Sequence, residues 1–183
     1  MNFPATHNMF FIAIMCPQDL DKKILQFKLW IKEHFGAVVA LKSPAHITLI
    51  QPFWMDMNKE NLLINALNVY TSHISEIEIY LDGFSRLGKK LLFITVQENP
   101  SLEEIKKHAE IHFAGYLEGV VKKDDRPFHP HITISNRDLK PGDSDKAWQH
   151  FENKFFKESF HAKAISLLRL EEGKWNVIGE KKW

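Results

Sequence analysis

Cysteine occurs once in 183 residues, at Cys16, which excludes an internal disulfide framework and any Cys-rich metal site. The lone thiol sits in an apolar run and is expected to pack as a small buried hydrophobe. A surplus of either charge is also missing, since 24 Lys plus Arg stand against 23 Asp plus Glu for a formal +1. No global field is then available to hold a long polyanion, so a nucleic-acid ligand has to be short or gripped locally. No apolar run approaches the roughly 18 residues that span a bilayer. The opening Met1-Asn2-Phe3-Pro4 carries neither the basic region nor the cleavage signature of a secretory signal. A cytoplasmic monomer without membrane contact is the expectation. Linker-like and low-complexity stretches are absent, and 44% hydrophobic residues suffice for one substantial core. Residues 1–183 are therefore read as a single domain.

What is present is a succession of short periodic segments. Met9 to Met15 is wholly apolar and reads as a central strand buried on both faces. Leu20, Ile24, Phe27 and Ile31 recur at helical spacing after Asp19, and Gly36 closes that helix. Strands are expected over Val38–Leu41 and His46–Ile50, with Pro52 interrupting, and a second helix from about Asn58 to Ser72. Two strands follow, Ile77–Leu81 and Leu91–Val96. Ser101 and Glu104 then have capping-box spacing at the start of a third helix carrying Leu102, Ile105, Ala109 and Tyr116. Phe128–Ser135 reads as a strand and Pro141-Gly142 as a loop. A fourth helix from about Asp145 to Phe155 would turn Trp148, Phe151 and Phe155 inward, and strands Ala162–Leu170 and Trp175–Ile178 flank the turn Glu171-Glu172-Gly173.

One tripeptide occurs twice: His46-Ile47-Thr48 and His131-Ile132-Thr133 stand 85 positions apart (131 − 46), close to half the chain. Each half runs strand, helix, His-Ile-Thr strand, helix, strand, with one extra strand placed differently. The fold expected is α+β and bilobal: a duplicated unit whose two antiparallel sheets line a central cleft, with helices packed outside.

Side chains alternate across a strand, so His46 and Thr48 point to one face while Ile47 and Leu49 anchor the other. The same holds for His131 and Thr133 against Ile132 and Ile134. Two imidazoles and two hydroxyls would thus converge on a small volume. With a pKa of about 6.5, one His can take a proton while a second, protonated His delivers one to a leaving oxygen. The Thr hydroxyls can donate to non-bridging phosphate oxygens. The set suits cleavage of a phosphodiester or a cyclic phosphate and needs no metal or cofactor.

Pro44-Ala45-His46-Ile47-Thr48-Leu49 and Arg126-Pro127-Phe128-His129-Pro130-His131-Ile132-Thr133-Ile134 resemble the two motifs of the two-histidine phosphoesterase superfamily, which includes the bacterial 2′-5′ RNA ligases and cyclic nucleotide phosphodiesterases. The resemblance implies a bilobal α+β fold with both motifs in the cleft. It also implies His46 and His131 as the acid–base pair and Thr48 and Thr133 as phosphate-binding hydroxyls. Substrates in that family are 2′,3′-cyclic phosphates, 2′-5′ linkages or ADP-ribose 1″,2″-cyclic phosphate, so a nucleotide or short RNA is the implied partner. Ligase-like members tend to carry Arg five positions after the second motif's His, where this chain has Asn136, with Arg137 next. Arg137 falls on the face of His131 and Thr133 if the strand continues, and is a candidate phosphate contact.

Further candidates are Phe53, which could stack on a base, and His129, which either orients the lead-in or lines the cleft edge. His129-x-His131 with His46 offers a possible metal set, but neither motif contains an acidic ligand to complete it. His108 and His112 lie four apart on a helix without a third partner, and adjacent basic pairs such as Lys106-Lys107 read as solvated. The alternative to an enzyme is a non-catalytic nucleotide or RNA binder on the same scaffold.

Overall fold

The computed structural model describes residues 6–183; the opening Met1–Pro4, read above for a secretory signal, lies outside the described residues. Eight strands and four helices follow in the order β1 (His7–Met15), α1 (Gln18–Phe35), β2 (His46–Asp56), α2 (Glu60–Val69), β3 (Ile77–Leu87), β4 (Leu91–Val96), α3 (Pro100–Tyr116), β5 (His131–Ser135), α4 (Pro141–Phe151), β6 (Lys157–Ala162), β7 (Ala164–Glu171) and β8 (Lys174–Lys182). All strand pairs are antiparallel and build two four-stranded sheets, ordered β2-β1-β7-β8 and β5-β4-β3-β6. Each sheet carries one His-Ile-Thr strand at its edge, and these edges, β2 and β5, lie beside each other. The expected α+β architecture with two antiparallel sheets is the one observed. Among the described residues no helix is long and apolar enough to cross a membrane.

The sheets do not follow the halves of the sequence. β1 is apolar on both faces and needs a partner at each edge; it takes β2 on one side and β7 on the other, pairing Phe10 with Arg169. The first sheet is thus closed by strands from the far end of the chain. Its inner residues Phe10, Ile12 and Ile14 join Ile79, Ile94 and Ile132 from the second sheet in one continuous core. α1 packs against β5 and α3 against β2, so each helix braces the motif strand of the opposite sheet.

Local chemistry accounts for most element boundaries and for the departures from expectation. Gly36 ends α1 at φ 72°, its N–H donating to Lys32 O, as anticipated for a left-handed C-terminal glycine. Val38–Leu41 is not a strand: Val39–Lys42 forms a 3-10 turn because Asp138 accepts from the N–H groups of Val38 and Val39. β2 runs on through Pro52, which is tolerated because β2 is an edge strand and its register shifts between the Phe10–Phe53 and Ile12–Ile50 pairs. At α3 the cap is Asn99, whose side chain accepts from Leu102 N at 3.1 Å, instead of Ser101. Pro141 opens α4 at a position where its missing N–H costs nothing. Because α4 stops at Phe151, helical phase does not reach Phe155, which is 81% exposed while Phe156 enters the core. The alternating strand β6, Lys157–Ala162, has no counterpart in the sequence reading.

Candidate active site

On β2 the side chains alternate as expected: Ile47 and Leu49 are buried and His46 and Thr48 face outward. β5 repeats this, with Ile132 and Ile134 buried and His131 and Thr133 outward. Burying each Ile is worth about 1.5–3 kcal/mol, and a one-residue slip would exchange the faces, so the aliphatics lock the polar pair outward. Pairing is equivalent in the two sheets. His46 and Thr48 stand opposite Met15 and Ala13 on β1, and His131 and Thr133 opposite Thr95 and Phe93 on β4.

His46, Thr48, His131 and Thr133 line a single cleft of about 610 Å³. The two imidazoles are held alike. Nδ1 of His46 donates to Pro44 O at 2.8 Å, and Nδ1 of His131 donates to His129 O at 2.7 Å. A carbonyl oxygen can only accept, so Nδ1 carries a proton in both rings and Nε2 is the nitrogen left to the cleft. Each ring also rests on a Phe, His46 on Phe11 at 4.8 Å and His131 on Phe93 at 4.9 Å between centroids. Burial pushes the pKa of His46 down to about 4, with the positive charges of Lys28 and His131 acting in the same direction and Pro44 O and Asp21 opposing. At neutral pH the His46 imidazole is therefore uncharged, with a lone pair on Nε2.

The walls differ. On the first sheet's side stand Phe11 and Trp175, the indole set edge-on to Phe11 at 4.6 Å. The lining also takes in Arg126, Phe128, His129 and Lys106. Lys106 is only 9% exposed; it forms a 2.7 Å ion pair with the equally buried Glu110 and lies over the Phe128 ring. Arg126 makes a two-pronged bond to Asp124.

His129 lines the cleft and also supplies the carbonyl that orients His131. Phe53 does not reach the cleft: it is buried and stacks on Phe10 at 6.2 Å, because the register shift at Gln51-Pro52 turns it to the core face. Arg137 is exposed and not among the cleft-lining residues, whereas Asn136 is. β5 ends at Ser135, so strand alternation no longer carries Arg137 onto the face of Thr133. Among the described residues no group of three His, Cys, Asp or Glu could hold a metal ion. Lys106, expected as a solvated surface charge, is instead buried beside the cleft, where Glu110 pairs it. Asn136, expected only as the occupant of the position where ligase-like relatives carry Arg, lines the cleft, as do Arg126 of the second motif segment and Trp175, for which the sequence offers no signal.

A model of the 2′-5′ RNA ligase superfamily matches residues 17–174. The chain belongs to that family. It is 28% identical over 164 residues to a candidate phosphoesterase of Geobacillus sp. (strain WCH70), covering 86% of this chain and 88% of the other. The fold is that of E. coli LigT, solved in complex with 3′-AMP: TM-score 0.66 and 17% identity, over 96% of this chain and 98% of LigT. TT0787 of Thermus thermophilus superposes at TM-score 0.65 with 13% identity, over 95% and 97% of the two chains. Membership supports a phosphoesterase- or ligase-like function and meets the expectation drawn from the paired motifs.

Proposed function

We propose that the protein is a metal-independent phosphoesterase acting on a 2′,3′-cyclic phosphate or a 2′-5′ phosphodiester of a nucleotide or short RNA. The observation that carries this reading is the matched pair of imidazoles, each with Nδ1 tied to a backbone carbonyl and Nε2 left to one cleft. In hydrolysis, neutral His46 takes a proton from water through Nε2 as the water oxygen attacks phosphorus. The bond from phosphorus to the leaving ribose oxygen breaks, and protonated His131 donates its Nε2 proton to that oxygen. Thr48 and Thr133 donate to the non-bridging oxygens as charge gathers on them. The low pKa of His46 favours the base role, and an anionic phosphate beside it would raise its proton affinity as the proton arrives. In ligation the two histidines exchange roles.

Nucleotide recognition draws support from LigT, whose crystal structures hold 3′-AMP, ATP, NADP+ and phosphate. In each four-stranded sheet the His-Ile-Thr strand lies at an edge beside the strand that precedes it in the chain, β1 for β2 and β4 for β5, which supports reading residues 1–183 as one domain of two related lobes.

The test is a panel of nucleoside 2′,3′-cyclic phosphates, 2′-5′ oligoadenylate and ADP-ribose 1″,2″-cyclic phosphate, assayed with the parent protein, His46→Ala, His131→Ala, Thr48→Val and Thr133→Val. Each His variant should lose about 10²–10⁴ in kcat and each Thr variant about 10². Full activity in either His variant would refute the assigned roles. Nucleotide binding without turnover of any panel member would favour the non-catalytic reading.

A further inference from the structure

Lys28 lies in the middle of α1 and is only 3% exposed. An aliphatic residue would fill that place without the cost of burying an amine. What the amine does is specific: Nζ donates to Ser43 O at 3.0 Å. Two turns earlier on the same helix, Asp21 Oδ1 accepts from Ala45 N at 2.6 Å. The carbonyl of Ala45 is taken in turn by Cys16 N at 3.0 Å. The three residues Ser43-Pro44-Ala45 are thus fixed on either side of Pro44, and Pro44 O is the acceptor that orients His46.

We propose that Asp21 and Lys28 are positioning residues for His46, holding the segment Ser43–Ala45 from one helix so that Pro44 O aims the imidazole into the cleft. The proposal rests on the reading of His46 as a catalytic group. The two residues bear opposite charges beside that ring. Lys28 opposes a proton on His46 and Asp21 favours one; His131, from β5, also opposes it. The Cys16 thiol packed with them is held neutral, its pKa pushed up to about 12 by burial. Lys28 itself has its pKa pulled down to about 8 by burial, Asp21 partly restoring it, so it is charged at pH 7.

The experiment follows the His46 ring by NMR titration in the full-length parent, Lys28→Met, Asp21→Ala and Asp21→Asn, with kcat and KM measured on the substrate the panel identifies. Lys28→Met should raise the His46 midpoint and both Asp21 variants should lower it, a pair of opposite shifts that loss of packing alone does not produce. Lys28→Met and Asp21→Ala should lose about 10- to 100-fold in kcat with KM within about twofold, since a misplacement near 1 Å costs up to about that much. Asp21→Asn should recover most of the kcat, because its amide oxygen still accepts from Ala45 N. A His46 midpoint unchanged in both Lys28→Met and Asp21→Ala overturns the proposal, as does an Asp21→Asn variant no better than Asp21→Ala. The titration needs no turnover, so it separates the two readings. Opposite shifts together with a fully active His46→Ala would leave the two charges beside the ring but overturn the catalytic reading on which the positioning role rests.

Discussion

Acidification from pH 7 to pH 5 removes stability through His46, and the amount follows from its burial. In the folded chain its pKa is pushed down to about 4, against 6.5 for the free side chain. Between those values the unfolded chain binds a proton that the folded chain refuses, so folding stability falls as pH falls through 6.5 and levels off below about 4. One pKa unit is about 1.36 kcal/mol, which gives about 2 kcal/mol lost by pH 5 and on the order of 3 kcal/mol in full. Water in the cleft reaches part of the ring, so these are upper values. Urea unfolding of the parent and of His46→Gln at pH 7 and pH 5 isolates the effect, because every other titrating group is common to both proteins. The parent should lose up to about 2 kcal/mol more than the variant between the two pH values. Inorganic phosphate, if it occupies the cleft, should shrink that difference by favouring the protonated ring. Equal losses in parent and variant would refute the reasoning.

Two further outcomes concern the frame around the site. The Lys106–Glu110 pair is almost wholly buried, so Glu110→Gln should cost about 3–5 kcal/mol in urea unfolding by leaving an ammonium unpaired. Lys106→Met in the same chain should restore much of that loss; a double variant no more stable than Glu110→Gln would show that the charge is not the cause. At the β7–β8 turn, Glu172 has φ 48° ahead of Gly173 at φ 77°, a geometry that suits Asn-Gly. Glu172→Asn should gain roughly 0.5–1 kcal/mol and about 1–4 °C in Tm by calorimetry, and a lowered Tm would contradict the turn assignment.

The parts of the fold legible in the sequence are those set by a local period. His46-Ile47-Thr48 and His131-Ile132-Thr133 alternate as written because β-strands have a period of two, whatever sheet they join. Met9–Met15 announced a two-sided strand, but nothing in it names β7 as its second neighbour, since pairing partners are chosen by the whole fold. A helix reaching Phe155 would turn it inward, but α4 stops at Phe151, so Phe155 is exposed and Phe156 enters the core instead. Phe53 and Arg137 lie off the cleft for related reasons: a register shift turns Phe53 to the core face, and the end of β5 at Ser135 breaks the alternation that would have carried Arg137 onto the face of Thr133. Lys28 and Lys106 look like ordinary helix-surface charges in sequence. Only the fold shows that one is spent on a backbone carbonyl and the other on a buried carboxylate.

The pairing of Phe10 with Arg169 also bears on how the protein comes into being. During synthesis the second sheet has all four strands once residue 162 is available, whereas the first waits for β7 and β8 to reach back across almost the whole chain. Contacts this distant in sequence form late and slowly. Until then β1 has a bare edge and His46 has only half its sheet behind it. A chain released early would carry both His-Ile-Thr segments yet lack Trp175 and the strand that bears it, so the cleft is complete only once the β7–β8 hairpin has formed.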